Sequence, residues 1–364
     1  MGIYEEMGVR PFINAKGTNY TREGGTLMRA SAAKAMAEAA QQFVNIEQLQ
    51  VSLGEIIADM TNNEAAFVSC GAASGIALSL AACIAGTDEE LADCLPHTGD
   101  MRNQVIMPGY ARGTEADAAI KSVGGHIVNA GDGDGATPQQ FADAFTDRTA
   151  AVLFTEYVGT DPILQDVADL ARERKIPVLV DGACAIPPKE NLWHYTGTIG
   201  VDGFITSGGK SMRGPQTTGL VVGRSWLIEG CRYHASPNMR IGRGMKVGKE
   251  EFAGLFASLK DFLEEDPAAA ESMQRDQLSV IRRSIEDRNG IEIASDDGLS
   301  MRLVVDETVL GISGGELAIR VYEGEPSVLI FGRGNMVIIG SAYLEKGQER
   351  TVVDALEKSL QVTG

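Results

Sequence analysis

Residues 203–223 read GFITSGGKSMRGPQTTGLVVG, two apolar runs joined by a loop of small residues that carries one lysine, Lys210. Short apolar runs bounded by glycine fit strands buried on both faces. Lys210 follows Ser207, Gly208 and Gly209 and precedes a Gly-Pro turn. A loop lysine is usually solvated. Held between two core strands it is partly withdrawn from water, a setting in which lysine acts as a nucleophile towards carbonyl groups.

The same pattern extends towards the N-terminus. Strand-like runs recur at AAFVS (65–69), QVIM (104–107), HIVNA (126–130), AAVLF (150–154) and PVLVD (177–181). Helical spacing fills the intervals at 29–43, 46–61, 73–86, near 114–123, near 138–146 and near 164–174. Buried strands alternating with helices predict an α/β fold, a mostly parallel sheet covered on both faces. Beyond residue 248 the pattern changes. Two long amphipathic helices (KEEFAGLFASLKDFLEE from Lys249, and 271–288) precede MRLVVD (301–306), a helix near 314–321, PSVLIF (326–331), MVIIGS (336–341) and a helix near 346–360. These fit a smaller α+β domain. The expected division is an N-terminal segment, 1–28, a large domain, 29–247, and a small C-terminal domain, 248–364.

The 364 residues carry a net charge of −18 and are 44% hydrophobic, enough for packed cores and too apolar for disorder. The acidic balance argues against nucleic acid as a main partner, because phosphate backbones select basic surfaces. No apolar run reaches the ~20 residues that span a bilayer, and MGIYEEMGVRPF lacks the basic and apolar regions of a secretory signal. The cysteines at 70, 83, 94, 184 and 231 form no CxxC pair, and the four histidines are scattered. Reduced thiols, a cytoplasmic location and no metal site are expected.

Two further segments carry chemistry. In FVSCGAASGIAL (67–78) a strand meets a helix through Ser69, Cys70, Gly71, Ala72 and Ala73. Backbone amides at such a helix N-terminus suit a phosphate, and close packing alone is the plainer reading. In VLVDGACA (178–185), Asp181 ends a buried strand, at the sheet edge where ligands of open α/β folds bind, or else it caps a turn. Ala183 is small enough to lie flat against a ring. Cys70 and Cys184 read first as packing residues. Taken with Lys210, the segments read as a pyridoxal 5′-phosphate site. Lys210 would bond the carbonyl as a Schiff base, Asp181 would pair with the pyridinium nitrogen, and the 69–73 turn with Ser207 would cradle the phosphate. Asp181 and Lys210 are 29 residues apart, as in fold type I enzymes.

With RPFINAKGTNYTREGGTLM (10–28) and RIGRGMKVGKEE (240–251) added, the chain resembles the selenocysteine synthase-like (SelA-like) family of fold type I enzymes. Within that family it is most similar to the D-glucosaminate-6-phosphate ammonia-lyase-like branch. The family run Ser-Gly-Asp-Lys-x-x-Gly-Gly-Pro-Gln stands here as Ser207-Gly208-Gly209-Lys210-Ser211-Met212-Arg213-Gly214-Pro215-Gln216. The resemblance implies an aspartate aminotransferase-like fold with a seven-stranded sheet and a homodimer or higher homo-oligomer. It implies Lys210 as the Schiff-base lysine, Asp181 at the pyridine nitrogen and Ala183 on one ring face. Tyr110 would lie on the other face, with Arg112 as the alternative. Asn14, Thr18 and Thr21 would line the substrate entrance, or serve as turn and capping residues. Arg240, Arg243, Lys246 and Lys249 would form an anion-binding cluster, with Arg243 on the cofactor, or else face solvent and pair with nearby acids. Arg333 would hold a substrate carboxylate, unless it is a surface turn arginine.

The expected reaction begins with proton abstraction at Cα by Lys210, followed by loss of a β-substituent. The products would be a 2-keto acid and ammonia from a polar amino acid or amino sugar acid. Racemisation and transamination are alternatives, and a non-catalytic cofactor-binding protein is an alternative of another class. Selenium transfer on a tRNA is disfavoured by the acidic charge and by the missing N-terminal extension. A Rossmann dehydrogenase is set aside, because no GxGxxG follows the first predicted strand.

Overall fold

The computed structural model describes residues 2–109, 115–132, 135–155 and 161–361. They form two compact units, Met28–Glu264 and Met1–Leu27 with Glu265–Gly364.

The larger unit is built on a seven-stranded sheet. Across it run Ala65–Ser69, Gly219–Gly223, Gly203–Ser207, Val178–Asp181, Thr149–Thr155, Gln104–Pro108 and His126–Ala130. Gly219–Gly223 is antiparallel to both its neighbours, and the other pairings are parallel. Alternate side chains enter two cores. Val152, Val178, Val180, Phe204 and Val222 pack on one face with helices Ile46–Met60, Asp161–Glu173 and Lys249–Glu264. Leu153, Leu179, Ile205 and Val221 pack on the other with Ala72–Ala85 and Ser225–His234. The outer side of strand Ala65–Ser69 does not present bare backbone along its whole length. Gln50 bonds the Val68 carbonyl (2.9 Å) and amide (3.3 Å), a side-chain cover for an edge that would otherwise recruit another strand.

Helix Lys249–Glu264, expected with the C-terminal domain, packs in the larger unit. Phe252, Leu255, Leu259 and Phe262 belong to the core that holds Val152 and Phe204. The division therefore falls at Glu264/Glu265 rather than at 247/248. Amphipathic spacing marks a helix but not the core it faces.

The smaller unit has a four-stranded antiparallel sheet, in the order Phe331–Arg333, Met336–Gly340, Ser300–Val305, Ile291–Asp296. Helices Pro267–Ile285, Gly314–Glu323 and Gln348–Gln361 bury Leu278, Ile281, Leu317, Val321, Leu356 and Leu360 with it. The N-terminal segment is part of this unit. Ile13 and Asn14 pair in parallel with Val328 and Leu329, and Ala15 is fully buried. PSVLIF is accordingly two strands: Val328–Leu329 pairs with the N-terminal segment, and Phe331–Arg333 pairs with Met336–Gly340. Among the described residues, no helix is long and apolar enough to cross a membrane.

Candidate active site

The ends of the parallel strands bring the sequence motifs together. Ser69 and Ser207 both pair with Gly219, from its two sides, so they stand level across the sheet. Asp181 closes the next strand and pairs with Ile205.

The Lys210 loop is closed on itself. The Gly208 amide donates to the Thr218 carbonyl (2.9 Å), Gly214 to the Gly208 carbonyl (2.8 Å), and Arg213 to the Lys210 carbonyl (2.8 Å). Its glycines are steric requirements. A Cβ on Gly209 would lie 2.5 Å from Gln216 Cα, and one on Gly208 would strike the Thr218 hydroxyl. Arg213 takes the left-handed backbone region (φ +58°), which is costly for a residue with a side chain. The resembled family run has glycine there. The strain is held by neighbours: the Arg213 carbonyl accepts the Arg29 amide (2.9 Å) and the Ser258 hydroxyl (3.3 Å), and Arg29 Nε donates to Met212 (3.0 Å). Lys210 is half-buried, and its Nζ donates to Cys184 Sγ at 2.9 Å.

Asp181 and Cys184 share the next loop. Asp181 Oδ1 accepts the Ala183 amide (3.2 Å), so the turn-capping reading holds for that oxygen. Gly182 has no room for a Cβ because the Phe204 ring lies directly against it. Phe204 is itself stacked on Tyr195, with ring centroids 5.0 Å apart. The two buried rings form a floor beneath Gly182, the residue between Asp181 and Ala183.

The third motif makes a cradle. Gly71 has φ +84°, caps helix Ala72–Ala85, and has open space where a side chain would be. A Cβ on Gly219 would lie 2.5 Å from the Gly71 carbonyl carbon, so two glycines let this turn lie against the sheet. The Ser69 hydroxyl donates to the Gly71 carbonyl (2.9 Å). Its hydrogen is thereby used in tying the turn. Burial, and next the charge of Glu251, push the Cys70 thiol up, which keeps it neutral. Glu251, which the sequence reading did not single out, accepts the Thr217 hydroxyl (2.8 Å) and the Gly248 amide (2.5 Å).

Several other expected site residues have partners of their own. Tyr110 and Arg112 fall outside the described residues. In the smaller unit, Asn14 takes the turn role: its Nδ2 donates to the Thr18 carbonyl (3.0 Å) and its Oδ1 accepts the Lys16 amide (3.0 Å). Thr18, Thr21 and Arg333 are exposed. That unit also holds a nearly buried ion pair, Lys16–Glu23 (2.7 Å), with Lys16 4.4 Å from the Tyr20 ring centre. The basic residues of 240–249 do not act as one cluster. Arg240 pairs with Asp93 and with Glu89 (3.2 Å) and lies over Tyr233. Lys249 binds the Ala39 carbonyl (2.7 Å) and Glu250 (2.6 Å). Arg243 and Lys246 are exposed. Charges adjacent in sequence diverge here because the segment is irregular, with no helix face to align them. Volume does not locate the site either: a cavity of about 480 Å³ lined by Ile46, Gln50, Phe67, Tyr233, Met245 and Phe252 includes neither Lys210 nor Asp181.

A lysine, an aspartate and an open helix N-terminus at the carboxyl ends of a parallel sheet define a pyridoxal 5′-phosphate enzyme of fold type I. Residues 10–240 match the aminotransferase class-V family, and the chain belongs to that family. Among its relatives is 5'-C-glycyluridine monooxygenase-decarboxylase of Streptomyces sp, 31% identical over 98% of this chain and 92% of that protein. Another is D-glucosaminate-6-phosphate ammonia lyase of Salmonella typhimurium (strain 14028s / SGSC 2262), 28% identical over 90% of this chain and 88% of that protein. A solved structure of D-glucosaminate-6-phosphate ammonia-lyase has TM-score 0.85 and 25% identity, covering 99% of this chain and 98% of its own. An L-seryl-tRNA(Sec) selenium transferase of Alkaliphilus metalliredigens (strain QYMF) is 29% identical over 47% of this chain and 39% of that protein.

The residues present fit the cofactor. The space above Gly71, the amides of the helix that follows, and the small side chains at 69–73 suit a phosphate. An amine and a carboxylate stand on the two adjoining loops, the donor set that the aldehyde and the pyridine nitrogen require.

Proposed function

We propose that this enzyme is an ammonia-lyase that acts on D-glucosaminate 6-phosphate or a close polyhydroxy 2-amino acid. The observation that carries the reading is the convergence of Lys210 with the Asp181–Cys184 loop, through the 2.9 Å contact of Nζ with Cys184. The likeness to an ammonia-lyase over 99% of the chain supports the choice of reaction.

Lys210 would hold the cofactor covalently and, once displaced by the substrate amine, take the proton from the substrate Cα. Asp181 would keep the pyridine nitrogen protonated, and Ala183 would bear on a ring face. The amides of Gly71–Ala73, with Ser207, would bind the phosphate. Ser69 would serve mainly to shape that turn. Arg243 is a further candidate for the phosphate. Asn14, Thr18 and Arg333 are candidates for the substrate. Pyridoxal 5′-phosphate supplies a sink for the electron pair released at Cα, and the β-hydroxyl then leaves as water. Hydrolysis of the resulting enamine releases ammonia and leaves a 2-keto acid.

We read the protein as a cytoplasmic homodimer or higher homo-oligomer. The five cysteines are free, in keeping with a reducing compartment. Phe43, fully exposed, and Met239, 83% exposed, are large apolar side chains that a partner copy would cover.

The 31% identical Streptomyces relative favours a second reading, oxidative decarboxylation of an amino acid-bearing substrate. Incubation of the cofactor-loaded protein with D-glucosaminate 6-phosphate separates the two. The expected result is equimolar 2-keto acid and ammonia without dioxygen. Carbon dioxide release coupled to dioxygen uptake, with no keto acid, would overturn the lyase reading.

A further inference from the structure

We infer that Cys184 is a positioning residue for Lys210: its sulfur holds the amine towards the Asp181 loop, ready for cofactor capture. The inference rests on the cofactor reading above. A lysine side chain has four rotatable carbons, so a fixed loop does not by itself fix Nζ. The Lys210 backbone is held by the Arg213 amide (2.8 Å), and the far end of the side chain meets Cys184 Sγ at 2.9 Å. The sulfur is a firm point to hold. Gly182 donates to the Ile205 carbonyl (2.8 Å), Ala185 to the Gly182 carbonyl (3.0 Å) and Asn191 Nδ2 to the Ala185 carbonyl (2.6 Å). Cys184 thus lies between Gly182, which is tied to the sheet, and Ala185, which is tied to Gly182 and to Asn191.

The other cysteines have different surroundings. Burial pushes the thiols of Cys83 and Cys231 up, Cys231 to about 12, and Cys231 meets Ser79 at 3.6 Å inside the core. Cys94 ends a surface helix. Among the described residues, Cys184 alone of the five cysteines is given a lysine amine as hydrogen-bond donor, in the loop that also carries Asp181. A sulfur there accepts a hydrogen bond from the amine, and a serine hydroxyl would do the same, whereas an alanine methyl would not.

The test is the rate at which cofactor-free protein captures pyridoxal 5′-phosphate, followed by growth of its absorbance band, with melting temperature measured alongside. Because Cys184 is exposed, Cys184→Ala should fold with an unchanged melting temperature and capture the cofactor about tenfold more slowly, an orientation effect. Cys184→Ser should recover to within about twofold of the native rate. Capture by Cys184→Ala at the native rate would overturn the inference and leave the cofactor reading intact. Equal slowing in both variants would also overturn it, since bulk rather than hydrogen bonding would then be at work. If native protein develops no band, the cofactor reading fails and this inference fails with it.

Discussion

In residues 207–218, one lysine sits in a loop closed by its own backbone hydrogen bonds and by glycines with no room for a side chain. In residues 240–249, three basic residues lie on an irregular segment and a fourth begins the next helix, and the fold sends them to different partners: Arg240 to Glu89 and Asp93, Lys249 to Ala39 and Glu250, Arg243 and Lys246 to the surface. The second segment has the greater charge, and the first carries the lysine proposed to hold the cofactor. A charged group becomes a tool when the backbone that carries it is over-determined. Charge density along a sequence says little about that, whereas glycines bracketed by apolar strands say much.

The contrast breaks most sharply at Lys210. Lys210→Ala should lower lyase turnover about a thousandfold, as expected for loss of the group that takes the proton, with the fold retained by circular dichroism. If turnover survives within tenfold, the loop is only scaffolding. Gly182→Ala probes the floor under the same site. Its new methyl would meet the Phe204 ring, so the melting curve should report a loss of about 1–3 kcal/mol, with weakened cofactor binding. In the other segment, Arg243→Ala should raise the dissociation constant for pyridoxal 5′-phosphate about tenfold if this exposed arginine reaches the phosphate, and leave it unchanged otherwise. Arg240→Ala removes partly exposed ion pairs and should leave the midpoint of a denaturant titration nearly unchanged, with turnover unaltered.

The smallest effect is one of pH. Burial, and then the Arg240 charge, hold the His234 imidazole below its ordinary pKa, opposed by its bond to the Gly86 carbonyl (2.8 Å). A carbonyl only accepts, so Nε2 carries the hydrogen, and the lowered pKa leaves the folded ring neutral near pH 7. As pH falls below about 6.5, the unfolded chain takes up the proton first. The stability contribution is present above that value and is lost as pH falls towards the lowered folded pKa. The melting temperature should therefore drop more between pH 7.5 and pH 5.5 in the native protein than in His234→Gln; equal drops would assign the pH response elsewhere.

Much of the sheet was legible because its strands are bracketed by residues that end strands. AAFVS, HIVNA, GFITS and GLVVG run to the residues expected. Strand Ile291–Asp296 is hard to see in the sequence because Glu292, Ala294, Ser295 and Asp296 are all exposed, so partial burial shows only at Ile291 and Ile293. Helix Ser225–His234 was also missed. Gly230 interrupts its pattern, and that glycine is there because Ala82 of the neighbouring helix packs against it. Lys210 and Asp181 were readable as motifs. The contact of Lys210 with Cys184 was not, since it joins residues 26 apart that only the adjacency of two strands brings together. Nor does any local pattern show that Arg213 would hold a glycine-like conformation, which depends on Arg29 and Ser258.

The most direct test of the site is to reduce the cofactor-loaded protein with borohydride and map the modified peptide by mass spectrometry. A pyridoxyl group on Lys210, absent from Lys210→Ala, is the expected result. Reduction that fixes no cofactor, or that labels another lysine such as Lys249 in place of Lys210, would contradict it.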